Sequence, residues 1–182
     1  MTTSDPAPPA VPTARRRVGL LAGVALVAAA ADILSKVLVV ANLAPGDEPR
    51  FLGGLVYFTL IRNPGAAFGM ASGMTYVFAL VAAVAVVVIV RMASRLRSVS
   101  WAVGLGLLLG GTIGNLGDRL FRAPGFLRGH VVDFVSVFGP NAQYFPAFNV
   151  ADAAITLGVA TLIVATLLGI DLDGTRRSIT KR

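Results

Sequence analysis

Residues 74–90 read MTYVFALVAAVAVVVIV, a continuous apolar run without a single charged side chain. A helix of about 20 mostly apolar residues crosses the hydrocarbon core of a bilayer. The runs Trp101 to Leu116 and Ala153 to Ile170 have the same character, and Val18 to Leu43 is long enough although it carries one acid and one lysine. The sequence therefore predicts an all-α membrane protein with four transmembrane helices.

The composition also indicates a membrane location. Of the 182 residues, 55% are hydrophobic and 14% are charged, whereas about 25% of the residues of a soluble domain are charged. The chain contains no cysteine and one histidine, which excludes disulfide scaffolds, thiolate chemistry and the usual His/Cys zinc sites. Polar chemistry must therefore come from Asp, Asn, Ser, Thr, Arg or Lys side chains.

Basic residues are distributed unequally between the two ends of the predicted spans. Ten of the sixteen bases lie in the two tails and the short loop, and five lie in the two long loops. The ten are Arg15, Arg16, Arg17, Arg91, Arg95, Arg97, Arg176, Arg177, Lys181 and Arg182. Because cytoplasmic segments carry the excess of bases, we expect both termini in the cytoplasm. The net charge of +7 then indicates contact with anionic headgroups rather than with nucleic acid.

The first span has an alternative interpretation. Three arginines (residues 15–17), an apolar stretch and the alanine run 28–31 together resemble a cleavable signal peptide. The apolar pattern, however, continues past the alanines through residues 37–40. Cleavage would also leave an odd number of spans with their flanking charges wrongly placed. We therefore expect the first span to be retained.

Phenylalanines are concentrated in the two long loops. Nine of the ten lie there, at positions 51, 58, 68, 121, 126, 134, 138, 145 and 148. One interpretation is an interfacial aromatic belt, but such belts mark helix ends on both sides of a membrane. The pattern favours loops that lie at the outer leaflet and shape an apolar groove. The segment Phe51 to Leu60 is compatible with a short strand or hairpin arm.

Several polar residues that a bilayer penalises lie at one depth. Asp32 and Asn115 each lie 14 residues beyond the predicted cytoplasmic start of their helix, which is about 21 Å along the axis. Asp152 opens the fourth span, and Asp133 lies in the loop before it. Charged groups at such a depth usually face a cavity or a partner. The sequence therefore predicts a polar site near the outer face.

Some of the polar residues also have a purely structural interpretation. Asp32 and Lys36 have the i,i+4 spacing of a helix ion pair, with the acid first. Asn115, Asp118 and Arg119 share one helix face and are suited to cap and pair the end of a helix.

Asp133 and Asp152 differ, because each lies in an apolar segment with no Lys or Arg close in sequence. A structural alternative is capping of the fourth helix by Asp152 or Asn149. The functional interpretation is a pair of carboxylates that share one proton, so that one acts as acid while the other acts as base. Such a dyad activates water against an amide without a metal. It titrates as a unit, so the sequence does not assign the acid.

Five short blocks follow one another in a specific order. They are Asp32-Ile-Leu-Ser-Lys36, Arg62-Asn-Pro-Gly-Ala-Ala-Phe-Gly69, Gly110-Gly-Thr-Ile-Gly-Asn-Leu-Gly-Asp-Arg119, Gly129-His-Val-Val-Asp-Phe134 and Phe148-Asn-Val-Ala-Asp-Ala153. In this order, with suitable spans between them, they resemble the bacterial lipoprotein signal peptidases (signal peptidase II). The resemblance covers about residues 18–170.

The resemblance implies a four-helix aspartic endopeptidase with a small extracytoplasmic β-cradle and interfacial loops. It places the catalytic role on Asp133 and Asp152. It implies substrate-binding or supporting roles for Asn63, Gly65, Asn115, Asp118, Arg119 and Asn149, and a structural ion pair of Asp32 with Lys36 that braces the first helix. Asn63 and Arg119 would lie near the substrate backbone. Asn115 and Asn149 would orient the dyad.

The implied substrate is a prolipoprotein whose cysteine carries diacylglycerol, cut on the N-terminal side of that cysteine. We expect a monomer in the bacterial inner membrane, with its active site near the extracytoplasmic face, membrane lipid as a second partner, and no metal, cofactor or nucleic acid. The expected organisation is a disordered cytoplasmic tail over 1–17, a membrane peptidase domain over 18–170, and a basic, disordered cytoplasmic tail over 171–182.

Two other functions compete with this interpretation. An aspartyl protease that cuts within spans would place both acids well inside helices and carry a Gly-x-Gly-Asp element, which the sequence lacks. A small proton-coupled transporter would use Asp32, Asp133 and Asp152 as relays. It would show ion-dependent flux and tolerate truncation of the loops.

Overall fold

The computed structural model describes residues 16–65 and 74–177. Within these residues the fold contains four long helices: α1 (Val18–Asn42), α2 (Thr75–Ala93), α3 (Val99–Phe121) and α4 (Val150–Leu167). Each is long and apolar enough to cross a membrane, which confirms the predicted number of spans. Predictions that concern residues 1–15, the motif residues 66–69 and residues 178–182 lie outside the described residues.

Helix α3 is the centre of the bundle and contacts the other three helices. Several of its glycines permit a close approach that any larger residue would prevent. A Cβ atom at Gly110 would lie 2.5 Å from the carbonyl oxygen of Ala25 on α1, and one at Gly111 would lie 2.5 Å from the carbonyl oxygen of Ala151 on α4. Two different faces of α3, about 100° apart, therefore pack closely against α1 and α4.

A three-stranded antiparallel sheet joins the ends of α1, α3 and α4. Its strands are β1 (Arg50–Phe51), β2 (Val56–Asn63) and β3 (Val131–Val137), in that order. A short 3-10 turn at Leu52–Gly54 lies between β1 and β2. The prediction of a strand or hairpin arm at Phe51 to Leu60 is thus confirmed.

Strand β3 corrects the prediction that Asp133 lies in a loop. Asp133 pairs with Ile61 of β2, while Val132 and Phe134 are buried against Val39 near the end of α1. Most residues of β3 are buried on both faces, so the segment lacks the alternation of apolar and polar residues that identifies a strand in a sequence.

The opposite end of the bundle brings the two described chain ends together. Arg17 donates its backbone N–H to the carbonyl oxygen of Leu96 at 3.0 Å, and the N–H of Arg97 bonds to the carbonyl oxygen of Leu172 at 3.0 Å. Residues 171–177 are therefore folded, with further backbone bonds from 171 to 175 and from 177 to 169. This corrects the expected disorder of that part of the tail: backbone bonds within the segment, and from the α2–α3 turn to Leu172, hold it in place although residues 173–177 are exposed.

Candidate functional site

Strand β3 carries Asp133 to the point where the sheet meets the bundle. Its side chain is buried, and both of its oxygens accept hydrogen bonds. Asn63, the last residue of β2, donates its amide to Oδ2 at 2.9 Å, and Asn149 donates its amide to Oδ1 at 2.7 Å. Two asparagines from different parts of the chain therefore fix the orientation of this carboxylate.

Asp152 lies in the first turn of α4 and takes part in a capping box. Asn149 is the N-cap: its Oδ1 accepts the backbone N–H of Asp152 at 2.9 Å, while Asp152 Oδ2 accepts the backbone N–H of Asn149 at 3.1 Å. The second oxygen of Asp152, Oδ1, accepts the amide of Asn115 on α3 at 2.8 Å. The capping role that the sequence left open therefore exists, and it leaves one oxygen of Asp152 facing away from the cap.

Asn149 connects the two carboxylates, since it bonds to both. The amide groups of Asn63 and Asn149 are held with their oxygens turned away from the acids. Asn63 Oδ1 accepts the backbone N–H of Gly65 at 2.9 Å, and Asn149 Oδ1 accepts the backbone N–H of Asp152 as part of the helix cap. Their NH₂ groups are thus committed to donating to Asp133, because an amide presents only one oxygen.

Burial raises the pKa of Asp133 to about 6. The amide hydrogen bond from Asn63 opposes this rise, and the negative charge of Asp152 adds to it. The amide of Asn149 and the positive charge of Lys36 also lower the pKa. A carboxyl group with such a pKa holds a proton at a pH where an exposed aspartate has lost it.

A buried charge cluster lies beside the two acids. Lys36 on α1 forms ion pairs with Asp32 at 2.7 Å and with Asp118 of α3 at 2.9 Å. Asp118 also pairs with Arg122 and accepts the backbone N–H of Val132 at 3.1 Å. The ion pair that spacing predicts within α1 thus extends to α3 and to β3.

Asp32 extends the same cluster to α4. Its Oδ1 accepts the backbone N–H of Ala151 at 2.9 Å, one residue before Asp152. Gly114 of α3 packs directly against the Asp32 carboxylate, where a Cβ atom would collide with it. The cluster therefore ties α1 to the start of the helix that carries Asp152.

Arg119 lies on the same face of α3 as Asn115. Its guanidinium group donates to the carbonyl oxygen of Asn115 at 3.1 Å and to that of Gly65 at 3.3 Å, and it lies 5.7 Å from the centre of the Phe78 ring. Its Nε atom is buried without a hydrogen-bond partner among the described residues. Arg119 thus connects α3 to the residues that follow β2, and its Nε–H group makes no hydrogen bond within the described residues.

The two acids line one cavity of about 700 Å³. Its polar wall contains Asn63, Gly65, Asn115, Arg119, Asp133 and Asp152. Its apolar wall contains Val131, the loop residues 145–148, and Ile155 and Leu157 of α4. The cavity therefore combines a small polar end with a larger apolar surface, the usual composition of a ligand site.

The predicted aromatic groove is smaller than the phenylalanine count suggests. Phe145 and Phe148 line the cavity, and Phe58 and Phe134 pack edge to face in the sheet. Phe121 is exposed at the end of α3. Phe126 and Phe138 are also exposed, which fits the interfacial alternative for these three.

Sequence reasoning missed three features of the site. These are the loop residues Pro146 and Ala147 in the cavity wall, the bond from Val132 to Asp118, and the bond from Lys36 to Asn115. No spacing rule indicates them, because each depends on contacts between elements far apart in the chain. In residues 16–65 and 74–177, no group of three or more His, Asp or Glu side chains is arranged to hold a metal.

The sequence is similar to those of known bacterial enzymes. The profile of the family described as signal peptidase (SPase) II matches residues 24–168. The lipoprotein signal peptidase of Rhodococcus jostii (strain RHA1) is 51% identical over 178 residues, which cover 98% of this chain and 87% of that protein. The lipoprotein signal peptidase of Mycobacterium tuberculosis (strain ATCC 25618 / H37Rv) is 48% identical over 165 residues, covering 91% and 79%.

Two solved structures share the fold. A bacterial membrane enzyme determined by the in meso method at 2.3 Å resolution has a TM-score of 0.74 and 27% identity, covering 86% of this chain and 93% of that chain. A second, at 1.9 Å resolution, has a TM-score of 0.71 and 28% identity, covering 86% and 98%. With four helices able to cross a bilayer and close relatives over most of its length, the chain belongs to the signal peptidase II family of membrane peptidases.

Proposed function

We propose that this protein is an aspartic endopeptidase that removes the signal peptide from diacylglyceryl-modified prolipoproteins, cutting on the N-terminal side of the lipidated cysteine. One observation carries the proposal: Asp133 and Asp152 line the same cavity and are both bonded to Asn149. The family assignment supports the substrate class, since the relatives are lipoprotein signal peptidases.

In the proposed reaction, the ionised carboxylate removes a proton from water while the water oxygen attacks the scissile carbonyl carbon. The protonated carboxyl group supplies a proton to the leaving amide nitrogen as the C–N bond breaks. The products are a signal peptide with a new carboxyl group and a lipoprotein with a free amino group on its cysteine. The raised pKa of Asp133 supports a pair that holds one proton.

The shape of the cavity fits such a substrate. The scissile amide needs the polar end, where Arg119 lines the cavity together with both acids. The acyl chains need an apolar wall, which the 145–148 loop and the first turns of α4 provide. Asn63 donates directly to Asp133, so we assign it to orienting the acid rather than to binding the substrate backbone.

The proposed location is the bacterial inner membrane, with both termini cytoplasmic and the dyad near the extracytoplasmic face. The described ends of the chain, before α1 and after α4, lie at one end of the bundle, beside the α2–α3 turn, and the dyad lies at the other. The excess of arginine at the first of these ends supports its assignment to the cytoplasm.

The test is cleavage of a diacylglyceryl-modified prolipoprotein by purified protein in detergent. We expect Asp133→Asn and Asp152→Asn each to lower the rate by at least about 10³-fold, because either change removes a member of the acid–base pair. Asp173→Asn is the matched control, since this exposed acid lies at the opposite end of the bundle, and it should retain the wild-type rate.

Substantial cleavage by both active-site variants would refute the dyad. A chelator should leave the rate unchanged, and strong inhibition by it would indicate metal-assisted hydrolysis instead.

A further inference from the structure

Lys36 makes one contact that the ion-pair cluster does not explain. Its side chain is 1% exposed, and its ammonium group has three acceptors within hydrogen-bond distance. Two are the carboxylates of Asp32 and Asp118, and the third is Oδ1 of Asn115 at 2.9 Å. An ammonium group has three protons, so all three are engaged, and one of them is directed towards a residue that touches Asp152.

The contact with Lys36 determines which way the Asn115 amide faces. A lysine only donates hydrogen bonds, so the amide oxygen of Asn115 must point towards Lys36 and its NH₂ group must point away. The NH₂ group then donates to Asp152 Oδ1 at 2.8 Å. A reversed amide would place NH₂ against an ammonium group and its oxygen against a carboxylate, which are two repulsive contacts.

A second donor to the same oxygen is weaker. Asn149 Nδ2 lies 3.2 Å from Asn115 Oδ1, but it also contacts Asp133 at 2.7 Å and the carbonyl oxygen of Val132 at 3.3 Å. Lys36 is nearer to Asn115 than Asn149 is, and it carries a full charge, which makes its hydrogen bond the stronger one. Lys36 is therefore the main determinant of the amide orientation.

We propose that Lys36 is a positioning residue of the peptidase reaction: through the Asn115 amide it holds the Asp152 carboxylate in the hydrogen-bonded orientation that the dyad requires. This inference rests on the proposed function, because it assigns to Lys36 a part in the proposed acid–base pair. It differs from a bracing role in one measurable respect. Loss of Lys36 should lower kcat through Asn115, beyond any loss of stability.

The test is a double-mutant cycle in kcat between Lys36→Met and Asn115→Ala, with all variants carrying Asp32→Asn. This background removes one of the two acids that Lys36 neutralises, and Asp118 retains its pairing with Arg122. The buried charge therefore stays balanced when Lys36 is lost. The amide introduced by Asp32→Asn retains an oxygen for the backbone N–H of Ala151, and its NH₂ group then faces Lys36. The reference for every kcat in the cycle is therefore Asp32→Asn alone, which is itself compared with the wild type.

Each of the two changes alone should lower kcat by about 10²-fold, the order of effect that misplacement of a reacting group produces, with little change in KM. Together they should lower kcat no more than about threefold further, because both interrupt the same chain of contacts. The proposal would be overturned if the loss of kcat in the double variant equalled the product of the two single losses. An unchanged kcat when Lys36 is replaced would overturn it as well.

A second variant keeps Lys36 in place. Asn115→Leu keeps the approximate volume of the side chain but removes the NH₂ group that donates to Asp152, together with the oxygen that Lys36 contacts. We expect a kcat about 10²-fold lower in protein that is still folded at the assay temperature. A wild-type kcat in this variant would show that the contact between Asn115 and Asp152 is dispensable, and the inference would be wrong.

Leu105→Ala is the control for stability alone. Leu105 is buried in the core formed with Leu21 and Ile89, and it is absent from the residues that line the cavity. It should lower the melting temperature and leave kcat unchanged at temperatures below unfolding; an equal loss of kcat would overturn the inference. Asp133→Asn and Asp152→Asn in the same assay separate the two proposals, since active dyad variants would refute the function itself.

Discussion

At the scale of single residues, Asp133 is a carboxyl group buried at the junction of sheet and bundle. Burial raises its pKa from 3.8 to about 6, so the folded protein holds this proton more tightly than the unfolded chain does. The stabilising effect is complete below about pH 4 and is lost as the pH rises through about 6. The difference corresponds to about 3 kcal/mol in the free energy of unfolding.

We therefore expect protonation of Asp133 to raise the melting temperature of the wild type in detergent when the pH is lowered from about 7.5 to about 5. Asp133→Asn should lack this contribution, because asparagine does not titrate, while other groups contribute similarly to both proteins. The measurement is thermal unfolding of both proteins across this range at constant ionic strength. Parallel pH profiles would contradict the buried, proton-holding character of Asp133.

The polar residues of the candidate site were predictable in identity but not in arrangement, and most of the apolar residues of its wall were not predictable. The scarcity of acids and their apolar surroundings single out Asp133 and Asp152 in the sequence. The orientation of the Asn115 amide was not predictable, because it depends on Lys36 of another helix. The i,i+4 rule indicates only contacts within one helix, so it found the bond to Asp32 and missed this one.

At the scale of secondary structure, the packing of α3 requires glycine on specific faces. A Cβ atom at Gly110 would lie 2.5 Å from the Ala25 carbonyl oxygen and 2.7 Å from the Ala28 side chain, whereas one at Gly117 would have no neighbour within 4 Å among the described residues. Gly110→Ala should therefore destabilise the protein by about 1–3 kcal/mol, since α1 must move away. Gly117→Ala should be neutral or stabilising by up to about 1 kcal/mol, because alanine favours the helix.

Melting temperatures of these two variants against the wild type test the difference in α3 packing. Equal shifts in both would show that α3 does not approach α1 as closely as the structure indicates. Both changes add one methyl group to the same helix, so helix propensity is matched and only the neighbourhood differs.

The elements themselves were predictable to different degrees. The four helices follow from apolar runs, because crossing a membrane demands a length that few other structures need. Strand β3 could not be identified from its own sequence, since it is buried on both faces and depends on pairing with β2, which lies far earlier in the chain. Its extended conformation is determined by pairing with β2 rather than by an alternation of apolar and polar residues in its own sequence.

At the scale of the whole molecule, the two ends of the bundle differ in charge and in structure. One end carries the described chain termini and the α2–α3 turn, joined by backbone bonds such as that from Arg17 to Leu96. The other carries the sheet and the cavity with its two acids. Among the bases at this second end, Arg122 is paired with Asp118, and Arg119 contacts the carbonyl oxygen of Gly65. The unequal distribution of bases therefore predicts that the first end faces the cytoplasm.

The chain contains no cysteine, so single cysteines report this orientation directly. Ser94 and Gln143 are exposed and lie at opposite ends of the bundle, in the α2–α3 turn and in the loop before α4. In intact cells whose outer barrier admits a membrane-impermeant maleimide, Gln143→Cys should be labelled and Ser94→Cys should react only after the inner membrane is permeabilised. Cleavage of the lipidated substrate by both variants would show that each is folded. Labelling of Ser94→Cys in intact cells would reverse the topology and place the dyad on the cytoplasmic side, where a substrate whose lipidated cysteine has crossed the membrane does not reach it.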